Sequence, residues 1–330
     1  MAILKRNRNA FLTLAIGFTM SVAIASRAEA QAAKADANRA EARAREGGPR
    51  TPWGDPDLQG VWSIATITPF ERPAALADKA QLTEQEAADA EKTFLTTQNQ
   101  DRRDGAGTDA DVARAYNDFW WDRGNKVAST RQTSLVVDPP DGRVPALTAE
   151  GQRRAAERAK RGYDSWEDRS LWERCITRGL PMIPGPYNNN YQILQTPTHV
   201  VILHEMIHDA RIVPIDGRPH VGQNIRQWFG DSRGRWEGNT LVVDTTNFTD
   251  KANYRGSTEG LHLIERFTRV DADTVRYEFT IDDPTTFTKK WTAAIPMART
   301  DEQIYEYACH EGNYGMVNLL KGARVQEQGK

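Results

Sequence analysis

The feature that most constrains the fold is a series of apolar–polar alternations in the second half of the chain. The clearest is TVRYEFTID, residues 274–282, where Val275, Tyr277, Phe279 and Ile281 alternate with polar residues. Successive side chains of a strand point to opposite faces, so this pattern predicts a strand with one buried and one solvated face.

Seven more segments from Tyr191 onward show strand patterns, and short turns join most of them. They are YQILQ, HVVIL, RGRW, TLVVDTTNF, LHLIERFTRV, KKWTAAIPM and QIYEYACH. Closure of such a meander into a barrel or sandwich removes exposed strand edges. We therefore predict a mainly β protein, an antiparallel up-and-down barrel with a helical, loop-rich N-terminal portion packed over one end.

Helical signals are confined to about residues 80–175. Thr83-Glu84-Gln85-Glu86 has the form of a capping box and predicts a helix over 84–97. Apolar residues at helical spacing predict a second helix over 109–124, and a polar surface helix is expected over 148–162.

The N-terminus has the three parts of a secretory signal peptide. A basic stretch precedes an apolar run over 10–25, and the small-x-small pattern Ala28-Glu29-Ala30 follows it. The run is shorter than the roughly 20 residues that span a bilayer, although an uncleaved anchor is the alternative. We predict a signal peptide over 1–30, a flexible leader over 31–50, and a single barrel domain over 51–330 that is periplasmic or secreted.

The charge of the exported chain argues against nucleic acid as a partner. The whole chain has a formal net charge of −2, and residues 1–30 contain four basic residues and one acidic residue, a net +3. Removing them leaves −2 − 3 = −5, which is mildly acidic. No later stretch is apolar enough to predict a membrane span, so the expected partner is a small-molecule ligand or substrate.

Two cysteines, Cys175 and Cys309, are the only ones in the chain. Export places them in an oxidising compartment, which favours a disulfide between them. Two free, buried thiols are the alternative.

The segment HVVILHEMIHDAR, residues 199–211, contains His204-Glu205-Met206-Ile207-His208, the His-Glu-x-x-His pattern of zinc peptidases. On a helix, His204 and His208 lie one turn apart and can share a zinc ion, with Glu205 as the base. On a strand they stand roughly 13 Å apart, too far for one metal. The β-branched residues just before the motif favour the strand. The zinc helix, with His204 and His208 as metal ligands, stays as the alternative.

The strand interpretation indicates a different polar site. It places Glu205, Asp209 and Arg211 on one face and His204 and His208 on the other. In the neighbouring segment LHLIERFTRV, Glu265 is in register with apolar residues, so it is expected to point inward and to need a partner such as Arg211 or a histidine. If the protein is an enzyme, the candidate catalytic residues are His208, Asp209, Arg211 and Glu265. A carboxylate or imidazole would act as base, and Arg211 would stabilise negative charge. For Glu205, Asp209 and Arg211 a solvated row of salt bridges is the alternative, and for Glu265 the alternative is a register break that turns it outward.

Two resemblances add to these patterns. Gly60-Val61-Trp62 resembles the Gly-x-Trp that opens the first strand of lipocalins and related calycin barrels, which implies a tryptophan closing one barrel end and a cavity for a small apolar ligand. The chain departs from that family because about 130 residues separate Gly60 from the strand run and no C-terminal helix is evident after Cys309. PDLQGVW, GPYNNNYQI, MIHDARIVPIDGRPH, GDSRGRWEGNTLVV and YEYACHEGNYG are also similar to a widespread group of exported, uncharacterised bacterial proteins. That likeness implies export and a shared fold, and it implies no activity.

The leading functional prediction is a barrel that binds or transforms a small apolar or aromatic molecule, with acid–base isomerase, lyase or hydrolase chemistry as the catalytic form. The alternatives are a zinc-dependent hydrolase and a non-catalytic envelope protein. No organic cofactor is predicted, since no Gly-rich phosphate loop follows a strand. The zinc alternative alone implies a metal.

Overall fold

The computed structural model describes residues 48–99, 101, 105–114, 118, 121–161, 165–252 and 254–329. Thr51–Lys330 form one compact unit. The predicted signal peptide and nearly all of the leader lie outside the described residues, so the fold described below is that of Thr51–Lys330. None of the helices in the described part of the chain has both the length and the apolar character needed to cross a bilayer.

Ten strands form one antiparallel sheet. They are β1 Gly60–Ser63, β2 Val136–Asp138, β3 Asn190–Gln195, β4 His199–His204, β5 Ala210–Pro214, β6 Asp231–Glu237, β7 Thr240–Thr246, β8 His262–Arg269, β9 Thr274–Asp282 and β10 Trp291–Arg299.

The strand order is that of a nearly closed up-and-down barrel. β3–β4–β5 and β6–β10 are two runs of neighbours in chain order, and β1 pairs with both β10 and β3, which joins the runs. β2 pairs with β10 beside this path. The sheet ladder is interrupted between β5 and β6, which we call the seam. The predicted fold class is confirmed.

One end of the barrel is closed around Trp62, in the Gly-x-Trp segment. Trp62 is buried, and its indole N–H donates to the Leu58 carbonyl at 2.9 Å. The Arg269 guanidinium lies 5.2 Å from the Trp62 ring and donates to the Asp57 carbonyl at 2.8 Å. The strand ends at the opposite side, where β4, β7 and β9 finish, form what we call the open end.

The interior is filled by the alternating residues of the central strands. On β9, Val275, Tyr277, Phe279 and Ile281 are fully buried, as the alternation of TVRYEFTID predicted. Burying an aromatic or branched side chain stabilises the fold by about 1.5–3 kcal/mol. These residues therefore supply much of the core energy, and the barrel interior is packed rather than hollow.

Within the described residues, four helices lie outside the barrel wall: α1 Glu84–Thr97, α2 Asp109–Arg114, α3 Ala149–Arg161 and α4 Gly315–Gln328. The predicted capping box of α1 is present, with Thr83 Oγ1 accepting from the Glu86 N–H at 3.2 Å and Glu86 Oε2 accepting from the Thr83 N–H at 2.8 Å. The second helix is shorter than predicted, because the described helix ends at Arg114 and residues 121–124 are not helical.

The C-terminal region corrects two expectations. QIYEYACH forms no strand, and the helix α4 follows it although none was evident from the sequence. The eighth strand of the run is β5 instead. The segment QIYEYACH cannot add to the sheet at β1, because β1 is already paired on both sides. Cys309 is bonded to Cys175, with the two Cα atoms 5.6 Å apart, so the disulfide is confirmed and the free-thiol alternative is wrong.

Candidate functional site

The His-Glu-x-x-His segment forms a strand, a tight turn and a second strand. β4 ends at His204, Met206–His208 form a single 3-10 turn, and β5 begins at Ala210. The His204 N–H donates to the Asp209 carbonyl at 2.8 Å, and Ile207 takes the left-handed conformation at φ 63°. The zinc-helix alternative is therefore wrong, because no α-helix places His204 and His208 one turn apart. The predicted extended backbone is present on each side of the turn but not through it.

This turn also reverses the predicted faces. Ile202 pairs with Arg211 across the hairpin, and paired residues on neighbouring strands share a face. Both are buried, and so is His204, whereas Ile212 is exposed. The prediction that His204 and Arg211 lie on opposite faces is wrong, since it assumed one uninterrupted strand.

Arg211 and Glu265 meet inside the barrel, as the inward register of Glu265 suggested. Arg211 Nη2 donates to Glu265 Oε2 at 2.5 Å and to Thr245 Oγ1 at 2.8 Å, and Arg211 Nε donates to Ser232 Oγ at 3.0 Å. Glu265 is completely buried. Arg211 is buried as well, so the solvated-row alternative is wrong for Arg211, and the outward alternative is wrong for Glu265.

The second oxygen of Glu265 is also bonded. Tyr277 donates its hydroxyl proton to Glu265 Oε1 at 2.8 Å, and the Met182 N–H donates to the same hydroxyl oxygen at 3.1 Å. Burial, and then the charge of Glu265, hold the pKa of Tyr277 well above its usual value. Leu180 and Met182 are buried over the open end of the interior. The network thus links β5 to β6, β7, β8 and β9 across the seam, while the buried Arg211 Nη1 makes no hydrogen bond to the described protein atoms.

His204 is a neutral interior histidine. Its ring packs edge-on against Tyr191 at 4.8 Å and Phe229 at 5.5 Å, and neither ring nitrogen makes a hydrogen bond to the described protein atoms. Burial, and then the charge of Arg211, lower the pKa of His204 to about 3. The imidazole is therefore uncharged at neutral pH.

Asp209, another predicted catalytic residue, does not join this network. Asp209 is half-buried in the turn, where it accepts hydrogen bonds from Thr177 Oγ1 at 2.7 Å and from the Arg178 N–H at 3.4 Å. The side chain of His208 lies outside the described part of the structure. The structure brings together Arg211 and Glu265 and separates Asp209 from them.

A cleft of about 1020 Å³ lies at the open end, outside Leu180. We call it the arginine cleft, and it is lined among others by Arg158, Arg174, Arg178, Trp172, Trp228 and Tyr254. Three other cations in its lining pair with carboxylates: Arg161 with Asp168, Arg169 with Glu173 and Lys251 with Glu167, at 3.5, 3.6 and 3.9 Å. Among the described residues, Arg158, Arg174 and Arg178 form no ion pair with a carboxylate. The cleft therefore presents unneutralised positive charge.

Aromatic rings hold two of these guanidinium groups. Arg174 lies 4.6 Å from the Trp166 ring and Arg178 lies 5.3 Å from the Trp172 ring. Burial raises the pKa of Tyr254 to about 12, so its phenol is a neutral part of the wall. Cations held over ring faces beside apolar side chains suit a ligand that is both anionic and flat.

A second cleft, of about 780 Å³, lies on the outer wall beside the open end and shares no lining residue with the first. We call it the histidine cleft, because His220 and His262 line it. Asp244 joins the two rings: its Oδ1 lies 3.1 Å from His220 Nε2 and its Oδ2 lies 2.9 Å from His262 Nε2. His220 Nδ1 faces Asp231 Oδ2 at 2.8 Å.

These four residues were not among the predicted site residues. Asp231 and His262 open β6 and β8, Asp244 lies on the outward face of β7, and His220 lies in the connection before β6. Their separations along the chain form no short motif, so only the pairing of β6, β7 and β8 brings them together.

No protein-family model matches this chain, and no curated protein matches it.

Proposed function

We propose that this is an exported protein that binds a small molecule with an anionic group and an aromatic or apolar body in the arginine cleft. The observation that carries the proposal is the presence of three guanidinium groups, Arg158, Arg174 and Arg178, that have no carboxylate partner in the described part of the chain and lie beside aromatic side chains. A ligand anion would complete the hydrogen bonding of these groups.

The charge balance of the lining supports an anionic ligand. Six cationic residues and four acidic ones, Glu167, Asp168, Glu173 and Asp250, line the cleft, which leaves a net +2. The Nε atom of Arg174 is buried and makes no hydrogen bond to the described protein atoms. A buried charged donor is costly unless it is paired, so ligand binding would offset that cost.

The apolar residues of the lining are the evidence for the aromatic or apolar body of the ligand. Trp172, Trp228 and Tyr254 supply ring faces, and Leu180 and Ile183 supply aliphatic contacts. The predicted ligand was apolar or aromatic. The unpaired arginines indicate that it also carries an anionic group.

Acid–base catalysis by His208, Asp209, Arg211 and Glu265 has less support than binding. Both Glu265 oxygens are bonded within the closed interior, and Asp209 is bonded to Thr177. These contacts occupy the groups that a substrate would need. A non-catalytic envelope role without a ligand is the alternative that the binding experiment tests.

Export is part of the proposal and has two supports. The Cys175–Cys309 disulfide is of the kind that persists in oxidising compartments. The basic, apolar and small-residue order of the N-terminus is the other. Together they favour the periplasm or the extracellular space.

The test compares two probes that differ in charge alone: 1-naphthoate, which is anionic and aromatic, and neutral 1-naphthamide. We expect isothermal titration calorimetry to show at least about tenfold tighter binding of 1-naphthoate, because only it can pair with the guanidinium groups. The Arg174→Gln/Arg178→Gln variant should remove that preference.

Arg276→Gln is the matched control, since Arg276 lies on the outer face of β9 and pairs with Glu278. It should bind both probes as the unmodified protein does. Equal affinity for the two probes, absence of binding, or an unchanged preference in the double variant would refute the proposal.

A further inference from the structure

The histidine cleft contains an Asp–His pair built like the acid–base pairs of enzymes. Asp244 Oδ2 contacts only one nitrogen of His262, Nε2, at 2.9 Å. His262 is partly exposed in the cleft wall. A carboxylate that bonds one imidazole nitrogen fixes the ring orientation and leaves the other nitrogen for proton transfer.

The carboxylate is itself held in place from the other side. His220 bonds Asp244 through Nε2 and Asp231 through Nδ1, and Asp231 also pairs with Arg233 at 2.7 Å. The Val221 N–H donates to Asp231 Oδ2 at 3.1 Å. This chain of contacts anchors the pair to β6, β7 and the connection before β6, so the geometry does not depend on one flexible side chain.

We propose that His262, oriented by Asp244, is the general base of a second, catalytic site that hydrolyses a neutral ester or lactone in the histidine cleft. This proposal is independent of ligand binding in the arginine cleft.

The lining of the cleft selects a neutral substrate. Arg154 pairs with Glu150 and Arg226 pairs with Glu259, at 3.2 and 3.5 Å, so no net charge remains from these four residues. Uncharged polar groups supply much of the remaining lining, among them Gln223, Thr246, Asn247, Thr258 and Thr285. Neutral polar groups can hydrogen-bond a carbonyl or an alkoxy oxygen without the cost of burying an unpaired charge.

The reaction balances with water as the only co-reactant. His262 Nδ1 takes a proton from water as the water oxygen bonds to the carbonyl carbon. The adduct then collapses, the bond from that carbon to the alkoxy oxygen breaks, and the departing oxygen receives the proton from His262. The products are a carboxylic acid and an alcohol, or one hydroxy acid from a lactone.

The protonation of His262 is set by its neighbours on three sides. The hydrogen bond that His262 donates to Asp244 raises the pKa of His262, burial lowers it, and the charge of Asp282, its register partner on β9, raises it again. Arg154 and Glu150 from α3, Arg226 and Glu259, and His220 also border the cleft. The raised pKa means that a rate requiring neutral His262 should increase as the pH rises through that value.

The test uses the full chain and 4-nitrophenyl acetate, a small neutral ester, with kcat/KM measured between about pH 5 and 9. His262→Gln should lower kcat/KM by at least about 100-fold, as expected for a general base. Asp244→Asn should shift the rise of kcat/KM to lower pH, because it removes the main contact that raises the His262 pKa.

His199→Gln is the matched control, because His199 is a partly exposed histidine at the start of β4 that contacts Thr198 and lies at the closed end. It should leave kcat/KM unchanged, and urea unfolding should confirm that all variants fold. An unmodified protein no faster than His262→Gln, an equal loss in His199→Gln, or an unshifted pH profile in Asp244→Asn would overturn the proposal.

Discussion

The seam between β5 and β6 is the weakest line of the barrel wall, and one arginine crosses it. No backbone ladder joins the two strands, whereas Arg211 on β5 bonds Ser232 on β6, Thr245 on β7 and Glu265 on β8. We predict that Arg211→Met strongly lowers the free energy of unfolding, and that Arg211→Met/Glu265→Gln recovers most of the loss.

The magnitude follows from the hydrogen bonds that Arg211→Met removes. One joins two charged groups and is worth about 1.5–3 kcal/mol, and two join the guanidinium to hydroxyl groups and are worth about 1 kcal/mol each. Their total of about 3.5–5 kcal/mol agrees with the roughly 3–5 kcal/mol that it costs to remove one partner of a buried ion pair and leave the other charge unpaired. In the double variant, no uncompensated charge remains, and Tyr277 can still donate to the side-chain oxygen of the introduced glutamine.

The assay is urea unfolding followed by tryptophan fluorescence, with the disulfide intact. Arg266→Met is the matched control, since it removes the half-exposed pair with Glu237 on the outer face of β8 and should cost less than about 1 kcal/mol. A loss below about 1 kcal/mol for Arg211→Met, or a double variant no more stable than the single one, would contradict the role of the ion pair across the seam.

Two further predictions concern the cysteines and the buried histidine. Cys175→Ser/Cys309→Ser removes the disulfide between residues 134 apart in sequence. The chain-entropy estimate predicts that the free energy of unfolding falls by about 5 kcal/mol. A change below about 1 kcal/mol in calorimetry would argue against this prediction. His204→Phe should leave the free energy of unfolding unchanged or raise it by about 1 kcal/mol. The reason is that it replaces two unbonded ring nitrogens with apolar atoms between Tyr191 and Phe229. A clear fall in the free energy of unfolding, measured in urea, would indicate that His204 makes a polar contact.

Local patterns in the sequence determined much of the barrel. The alternation in residues 274–282 identified β9 and its buried face, and the spacing of Thr83 and Glu86 identified the start of α1. These features depend on residues two to four positions apart, so nearest-neighbour geometry is enough to predict them. The same reasoning placed Glu265 inside, because its face is set by the residues beside it.

Predictions from local patterns were wrong where a short segment is compatible with more than one conformation. The segment from His204 to His208 suits a helix or a strand, and only the hairpin pairing of β4 with β5 selects the turn. QIYEYACH alternates as a strand does, yet the neighbouring β1 is already paired on both sides, and Cys309 is bonded to Cys175. A pairing edge is a property of the whole sheet.

The sites were decided by tertiary structure alone. Arg211 and Glu265 are 54 residues apart, and His220, Asp231, Asp244 and His262 come from three strands and a connection. The alternation within each strand predicts which face of the sheet a residue occupies. Which residues of other strands it meets there depends on register and on closure of the barrel, because contacts across a sheet are set by pairing between distant segments.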